Sequence, residues 1–174
     1  MSSHEFARSQ EVDIRGHSFR LLPEGALFWP YMGILVVADF HLGKAQTFGR
    51  HGFPLPELPQ RADLSRLLET LRREGADELV FLGDLVHSRE GMTAELEEQF
   101  AVFVEAFGGP VSLIAGNHDQ GLLRHWPRAW SSLSIRDELT IDGFSFRHEP
   151  PDRSPRAAAP FVWAGHLHPC VRLS

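Results

Sequence analysis

Ile34-Leu35-Val36-Val37-Ala38-Asp39-Phe40-His41 is the stretch that decides the fold. Its first five residues are apolar and rich in β-branched side chains, the pattern of a strand buried on both faces, and such strands belong to sheets covered on both sides. The run ends at Asp39 and His41, two side chains able to hold a metal. Residues 79–82 and 111–115 repeat the apolar pattern downstream. Between the runs, Leu64, Leu67, Leu68 and Leu71 fall at i, i+3, i+4 and i+7, with Arg66, Glu69, Arg72 and Arg73 on the other faces and Gly75 as a stop, which predicts an amphipathic helix within 58–73. Leu96, Phe100, Phe103, Val104 and Phe107 predict a second helix, from a Thr93 cap to Gly108. The order β-α-β-α-β predicts a right-handed parallel unit whose ligands gather beyond the carboxyl ends of the strands.

Further strands are expected at 19–22 and 26–29, around Pro23-Glu24-Gly25, and short ones at 134–135, 139–141, 144–146 and 161–164. The last four suggest a second sheet, mixed or antiparallel, packed on the first. Proline-rich passages at 53–59 and 150–160 read as loops.

The chain has 174 residues, 43% of them hydrophobic, and one cysteine, which describes a single domain over 1–174 with no internal disulfide. A chain of this length hides roughly 70% of its unfolded surface, enough for a real core. No apolar run approaches the ~20 residues that cross a bilayer, and the polar start lacks a signal-peptide apolar region, so the expected compartment is the cytoplasm, with no membrane partner. The net charge of −6 disfavours a protein that coats polyanions. Ten histidines against one lysine direct attention to metal chemistry.

The polar residues that follow the predicted strands form five blocks: Asp39-Phe40-His41, Gly83-Asp84, Gly116-Asn117-His118-Asp119, a lone His148, and Gly165-His166-Leu167-His168. Taken singly, Asp-x-His and Gly-Asn-His-Asp are also turn or cap sequences. The last block places two imidazoles two residues apart, on one side of an extended chain, where both can reach one metal cluster. Five such blocks in this order, each at a strand end, are hard to obtain by accident.

Together the blocks resemble the signature of the calcineurin-like metallophosphoesterase superfamily. The phrases Leu22-Pro23-Glu24-Gly25-Ala26-Leu27, Ala38-Asp39-Phe40-His41-Leu42-Gly43-Lys44-Ala45 and Gly83-Asp84-Leu85-Val86-His87-Ser88 are most similar to its ligase-associated DNA damage response endonucleases, a bacterial phosphodiesterase group. The resemblance implies a four-layer α/β/β/α sandwich. Because the chain ends six residues after His168, the C-terminal strands of the second sheet are open to being absent. It also implies a two-metal centre: Asp39, His41 and His168 on one ion, Asn117, His148 and His166 on the other, and Asp84 bridging. Mixed oxygen and imidazole donors suit manganese first, with zinc or iron as alternatives. Two such ions can share a hydroxide as nucleophile and clamp the phosphoryl oxygens, and they offset four of the net negative charges.

By the same resemblance His118 protonates the leaving oxygen, Asp119 orients His118, and His87 takes a substrate-side role, with a place behind the ligands as its alternative. Lys44, Arg50 and His51 follow the first block and are candidate phosphate contacts, or else solvated loop residues. His4, His17 and His125 carry no motif and read as surface side chains; Cys170 reads as a structural thiol. The leading expectation is an endonuclease that hydrolyses DNA phosphodiester bonds, single-stranded or structured, in a repair setting shared with a DNA ligase and helicase. The alternatives are a phosphodiesterase or phosphatase for small nucleotides, and a scaffold that kept the fold without the chemistry, against which the retained His118 argues.

Overall fold

Alternation within the apolar runs sorts the molecule into layers. The computed structural model describes residues 8–53, 60–151 and 161–167. The chain begins with β1 (Gln10–Ile14), β2 (His17–Leu22), β3 (Ala26–Trp29) and β4 (Ile34–Val37), an antiparallel meander. Helices α1 (Lys44–Arg50) and α2 (Gln60–Glu74) lead to β5 (Glu78–Leu82), and α3 (Ala94–Phe107) leads to β6 (Val111–Ile114). The short α4 (Gln120–Leu123) precedes β7 (Ser134–Arg136). Strands β4 to β7 are parallel and complete a seven-stranded sheet in sequence order. A three-stranded sheet follows, from β8 (Leu139–Ile141), β9 (Phe144–Arg147) and β10 (Phe161–Ala164), with β9 central and parallel to β10.

Odd and even positions of the parallel strands feed two cores. Leu35, Val37, Leu79, Phe81 and Leu113 meet Leu64, Leu67 and Leu71 of α2 and Phe100 and Phe103 of α3. Ile34, Val36, Val80, Leu82 and Ile114 face the other way, against Phe19, Trp29, Phe144 and Phe146. Each fully buried side chain of this kind contributes about 1.5–3 kcal/mol, so any one-residue slip of β4, β5 or β6 exchanges both cores and is strongly opposed. The Thr93 hydroxyl caps α3 by accepting from the Leu96 N–H, and Gly108 ends it in the left-handed region. Among the described residues no helix is long and apolar enough to cross a membrane.

The expected parallel unit, both long helices and both sheets are present, as in a metallophosphoesterase sandwich, and among the described residues the second sheet has three strands. One strand changes place. Residues 134–135 were assigned to the second sheet, but β7 pairs with β6 and extends the first, because its backbone finds an open parallel edge there while its side chains stay exposed. Residues 44–50, where no helix was expected, form α1. Its Gly43 cap and internal Gly49 give it a poor helical signature, and it is held instead by packing on a 3₁₀ turn at Arg89–Gly91. Strand β1 was not anticipated; it enters through a tight turn at Arg15-Gly16, both left-handed. Expected loops at 54–59 and 152–160 lie outside the described residues.

Candidate metal centre

Parallel strands that end side by side deliver the residues after them to one edge. Past β4 and β5 the ladder continues: the Asp39 N–H donates to the Gly83 carbonyl (3.1 Å), that of His41 to Asp84 (2.9 Å) and that of Leu42 to Leu85 (2.8 Å). Asp39, His41 and Asp84 have φ of 52°, 54° and 50° there, and His166, after β10, has 64°. Left-handed backbone is uncommon for residues with a Cβ, and at each of these positions it turns a donor side chain toward the sheet edge.

The donors form two overlapping groups, Asp39, His41 and Asp84 in one and Asp84, His148 and His166 in the other, each within 4.8 Å. Asp84 belongs to both, the relation expected of a bridging carboxylate. Asn117 completes the second group, its Oδ1 3.0 Å from His148 Nε2. His148 Nε2 also lies 3.2 Å from His166 Nδ1 and 3.4 Å from Asp84 Oδ1. The other nitrogen, Nδ1, is 3.2 Å from the Leu82 carbonyl. When Nδ1–H donates to that carbonyl, Nε2 presents its lone pair to Asn117 and Asp84, both acceptors. Such a convergence suits a divalent cation and matches the way a ligating histidine is fixed through its far nitrogen. The residues therefore fit a pair of divalent ions that share Asp84, and the carboxylate, amide and imidazole donors are those of manganese, iron or zinc.

Burial and close packing hold the arrangement. Asp84 is 2% and His148 4% exposed. The His118 backbone N–H donates to Asp84 Oδ1 (3.0 Å), and the His166 N–H donates to the Asp39 carboxylate. Gly83 and Gly116 explain why glycine precedes the second and third blocks: a Cβ on Gly83 runs into the His148 ring, and one on Gly116 into the Asp84 carboxylate and backbone nitrogen. Burial pushes the His41 imidazole below its ordinary range, which favours the neutral form that a ligand needs.

The His118 ring faces the shared carboxylate, with Nε2 4.0 Å from Asp84 Oδ2. Its Nδ1 is 2.6 Å from the His87 carbonyl, which fixes the ring and leaves Nε2 toward the centre. The expectation that Asp119 orients this imidazole is corrected here. Asp119 is fully buried, and its two oxygens accept from the Gly116 N–H (2.9 Å) and the Val86 N–H (3.1 Å), tying the third block to the second. Burial pushes its carboxyl above the usual range. The His87 ring stacks on that of His118 at 5.4 Å and meets His41 edge-on at 5.4 Å; burial pushes its pKa down.

Lys44, Arg50 and His51 stand exposed on and just after α1, with His51 3.5 Å from Glu90. Of the other histidines, His17 is half-buried, edge-on against Trp29 and Phe144, rather than on the surface as expected, while His125 is exposed. His4, His168 and Cys170 lie outside the described residues. Two cavities flank the centre. One of about 310 Å³ is lined by residues that include Asn117, Gln120, Arg147 and His148. The other, about 430 Å³, runs from Asp39 and Phe40 to Arg66 and Thr70 of α2. The sequence pattern did not point to the backbone carbonyls of Leu82 and His87, which fix His148 and His118; main-chain groups carry no sequence signal.

A family model described as calcineurin-like phosphoesterase matches residues 32–170. Among solved structures, the crystal structure of Pseudomonas putida nuclease MPE is similar, with 31% identity and a TM-score of 0.75 over 92% of this chain and 74% of that one. No match was found among curated proteins.

Proposed function

Since the chain belongs to the calcineurin-like phosphoesterase family, hydrolases of phosphoesters that work through a dinuclear metal centre, we propose that it hydrolyses phosphodiester bonds in DNA as an endonuclease. One observation carries the reading: two donor groups share Asp84, and the His118 ring stands beside that carboxylate with its far nitrogen already fixed. A pair of divalent ions, manganese first, supplies Lewis acidity to the phosphate and a lowered pKa to water when bound. The remaining work falls to the chain. His118, as an imidazolium whose Nδ1–H is held by the His87 carbonyl, would give its Nε2 proton to the leaving oxygen and be left neutral, a step typically worth about 10²–10⁴-fold. Asp84 and Asn117 hold their oxygens toward the same point, and His148 is locked by the Leu82 carbonyl.

Nucleic acid as substrate is supported by similarity to a solved nuclease at 31% identity and by Lys44 and Arg50, exposed on the helix that follows His41. A repair setting, with a ligase and helicase acting on the same DNA, follows from the subgroup resemblance. The test reloads metal-free protein with manganese, zinc, iron or magnesium and offers single- and double-stranded DNA, a model phosphodiester, a phosphomonoester and cyclic nucleotides. Diester and DNA cleavage with manganese, little monoester cleavage, and a large loss in Asp84→Ala are expected. His118→Ala should keep its metals and turn over slowly. Brisk cyclic-nucleotide turnover without DNA cleavage would replace this reading with a small-nucleotide phosphodiesterase.

A further inference from the structure

Phe48 belongs to none of the five blocks, yet its ring lies on the face of His87, at 5.6 Å between centroids and 29° between planes. The His87 ring in turn lies 5.4 Å from that of His118, at 23°. Three rings thus form a column that ends at the proposed acid. His87 has no hydrogen bond to set its ring among the described residues: its Nδ1 is buried without a partner. Its backbone N–H donates to the Leu42 carbonyl (2.8 Å), which fixes the main chain but leaves the ring rotation open. Packing must therefore choose the rotamer: His41 meets the ring edge-on, and of the two rings stacked on it, those of His118 and Phe48, only Phe48 lies outside the centre.

Phe48 is itself held in place. The preceding residue, Thr47, is buried, and its hydroxyl lies 2.9 Å from the Gly43 carbonyl and 2.8 Å from the hydroxyl of Ser88, the neighbour of His87. Ser88 also accepts from the Gly91 N–H (3.2 Å), and a Cβ on Gly43 would meet the Gly91 backbone at 2.8 Å. The turn after His87 and the helix that carries Phe48 are thus clamped as one piece.

We infer that Phe48 is a positioning residue, whose ring holds the His87 imidazole parallel to His118 and so backs the ring of the proposed acid, whose Nδ1 the His87 carbonyl holds. The inference rests on the acid role given to His118 above. It explains why a seven-residue helix with weak helical propensity is pinned so tightly beside the centre.

The test compares Phe48→Leu, which keeps apolar bulk but removes the flat face, with Phe48→Tyr, which keeps the face. In the manganese-loaded protein, kcat on the model diester and on DNA should fall about three- to tenfold in Phe48→Leu, the scale of one aromatic pairing, with KM little changed and parental activity in Phe48→Tyr. Metal content should match the parent in both. In the metal-free protein, the His118 ring proton resonances, which sense the orientation of the His87 ring and lie one ring beyond Phe48, should shift in Phe48→Leu and stay near parental positions in Phe48→Tyr. Parental kcat together with unmoved resonances in Phe48→Leu would overturn the inference, as would equal impairment in the two variants. His118→Ala is run beside them. If that variant is as fast as the parent, the acid reading fails, and the resonances alone decide whether Phe48 orients the imidazoles.

Discussion

Replacing Gly83 by alanine separates the backbone requirement of the site from its packing requirement, because the molecule contains a matched control. Gly83 has φ +79° and Gly16, in the β1–β2 turn, has φ +81°. Alanine in this region costs about 1–2 kcal/mol wherever it occurs. At Gly16 nothing lies within 4 Å of the added Cβ, so that cost is the whole effect, roughly 2–8 °C in Tm for a chain of this size. At Gly83 the added Cβ overlaps the His148 ring and stands 2.8 Å from the His148 Cβ. His148 is almost wholly buried and must move, which breaks its bond to Leu82, about 1 kcal/mol, and takes Nε2 away from Asn117 and Asp84. Losing the outer partner that orients a ligand typically weakens metal binding about 10–100-fold by itself, and displacing the ring adds to that. Thermal melting with and without manganese, together with metal stoichiometry by mass spectrometry, reads both effects. Gly83→Ala should melt below Gly16→Ala, and only Gly83→Ala should lose one ion of the pair. Equal melting temperatures and equal metal content in the two variants would refute the assignment of His148 to the centre.

Asp119→Asn should lower Tm by roughly 5 °C, since the new amide can accept from only one of the Gly116 and Val86 N–H groups and turns its own N–H toward the other, a loss of about 1–3 kcal/mol; a Tm unchanged within error would show that neither bond matters. The pH dependence of the metal-free protein tests the burial of His41 and His87, both held below the ordinary imidazole pKa. Below about pH 6.5 the unfolded chain takes up protons that the folded chain refuses, so stability should fall as pH drops through the window between that value and the lower folded values. Asp119 acts with the opposite sign in a more acidic window: with its pKa raised, stability falls as pH rises from its ordinary value. His87→Gln should make the slope below pH 6.5 shallower, and an identical slope would count against its burial.

The parts of the fold that were legible are those where local pattern and tertiary burial demand the same residues. Ile34 to Val37 is apolar at every position because both faces of β4 are covered, so the sequence had little freedom to disguise it. The same holds for the Leu64, Leu67 and Leu71 stripe. Strand β7 was placed in the wrong sheet because its three residues are exposed, and only the vacant parallel edge of β6 decides where it pairs. Helix α1 was hidden by Gly43 and Gly49, whose small size serves close packing rather than helix formation. At the site, the donor residues were legible as blocks after strands. Asp119 was misread because carboxylate-next-to-imidazole is a sequence relation, whereas its oxygens are claimed by two buried amides that only the folded chain brings near. Phe48 carries no signal at all, since aromatic residues in a short helix are ordinary core material.

The positive φ values suggest what the arrangement costs the protein. Six described residues other than glycine have them. Arg15 and Asp142 each precede a left-handed glycine in a hairpin turn, where such pairs are the rule. The other four are Asp39, His41, Asp84 and His166, all of them candidate metal donors. At up to about 1–2 kcal/mol each, and less for aspartate than for alanine, their strain is a noticeable part of the roughly 5–15 kcal/mol that holds a domain together. The ladder bonds past β4 and β5 oppose it, and cation binding would add to them. Asp84 allows a direct measurement. Asp84→Ala and Asp84→Gly both remove the carboxylate and should both lose the metals, but only glycine relieves a φ of 50°. Metal-free Asp84→Gly should therefore melt about 2–4 °C above Asp84→Ala, the equivalent of about 1 kcal/mol. If the two melt together, or if alanine is the more stable, a Cβ at position 84 is not strained, and holding the ions there does not compete with holding the fold.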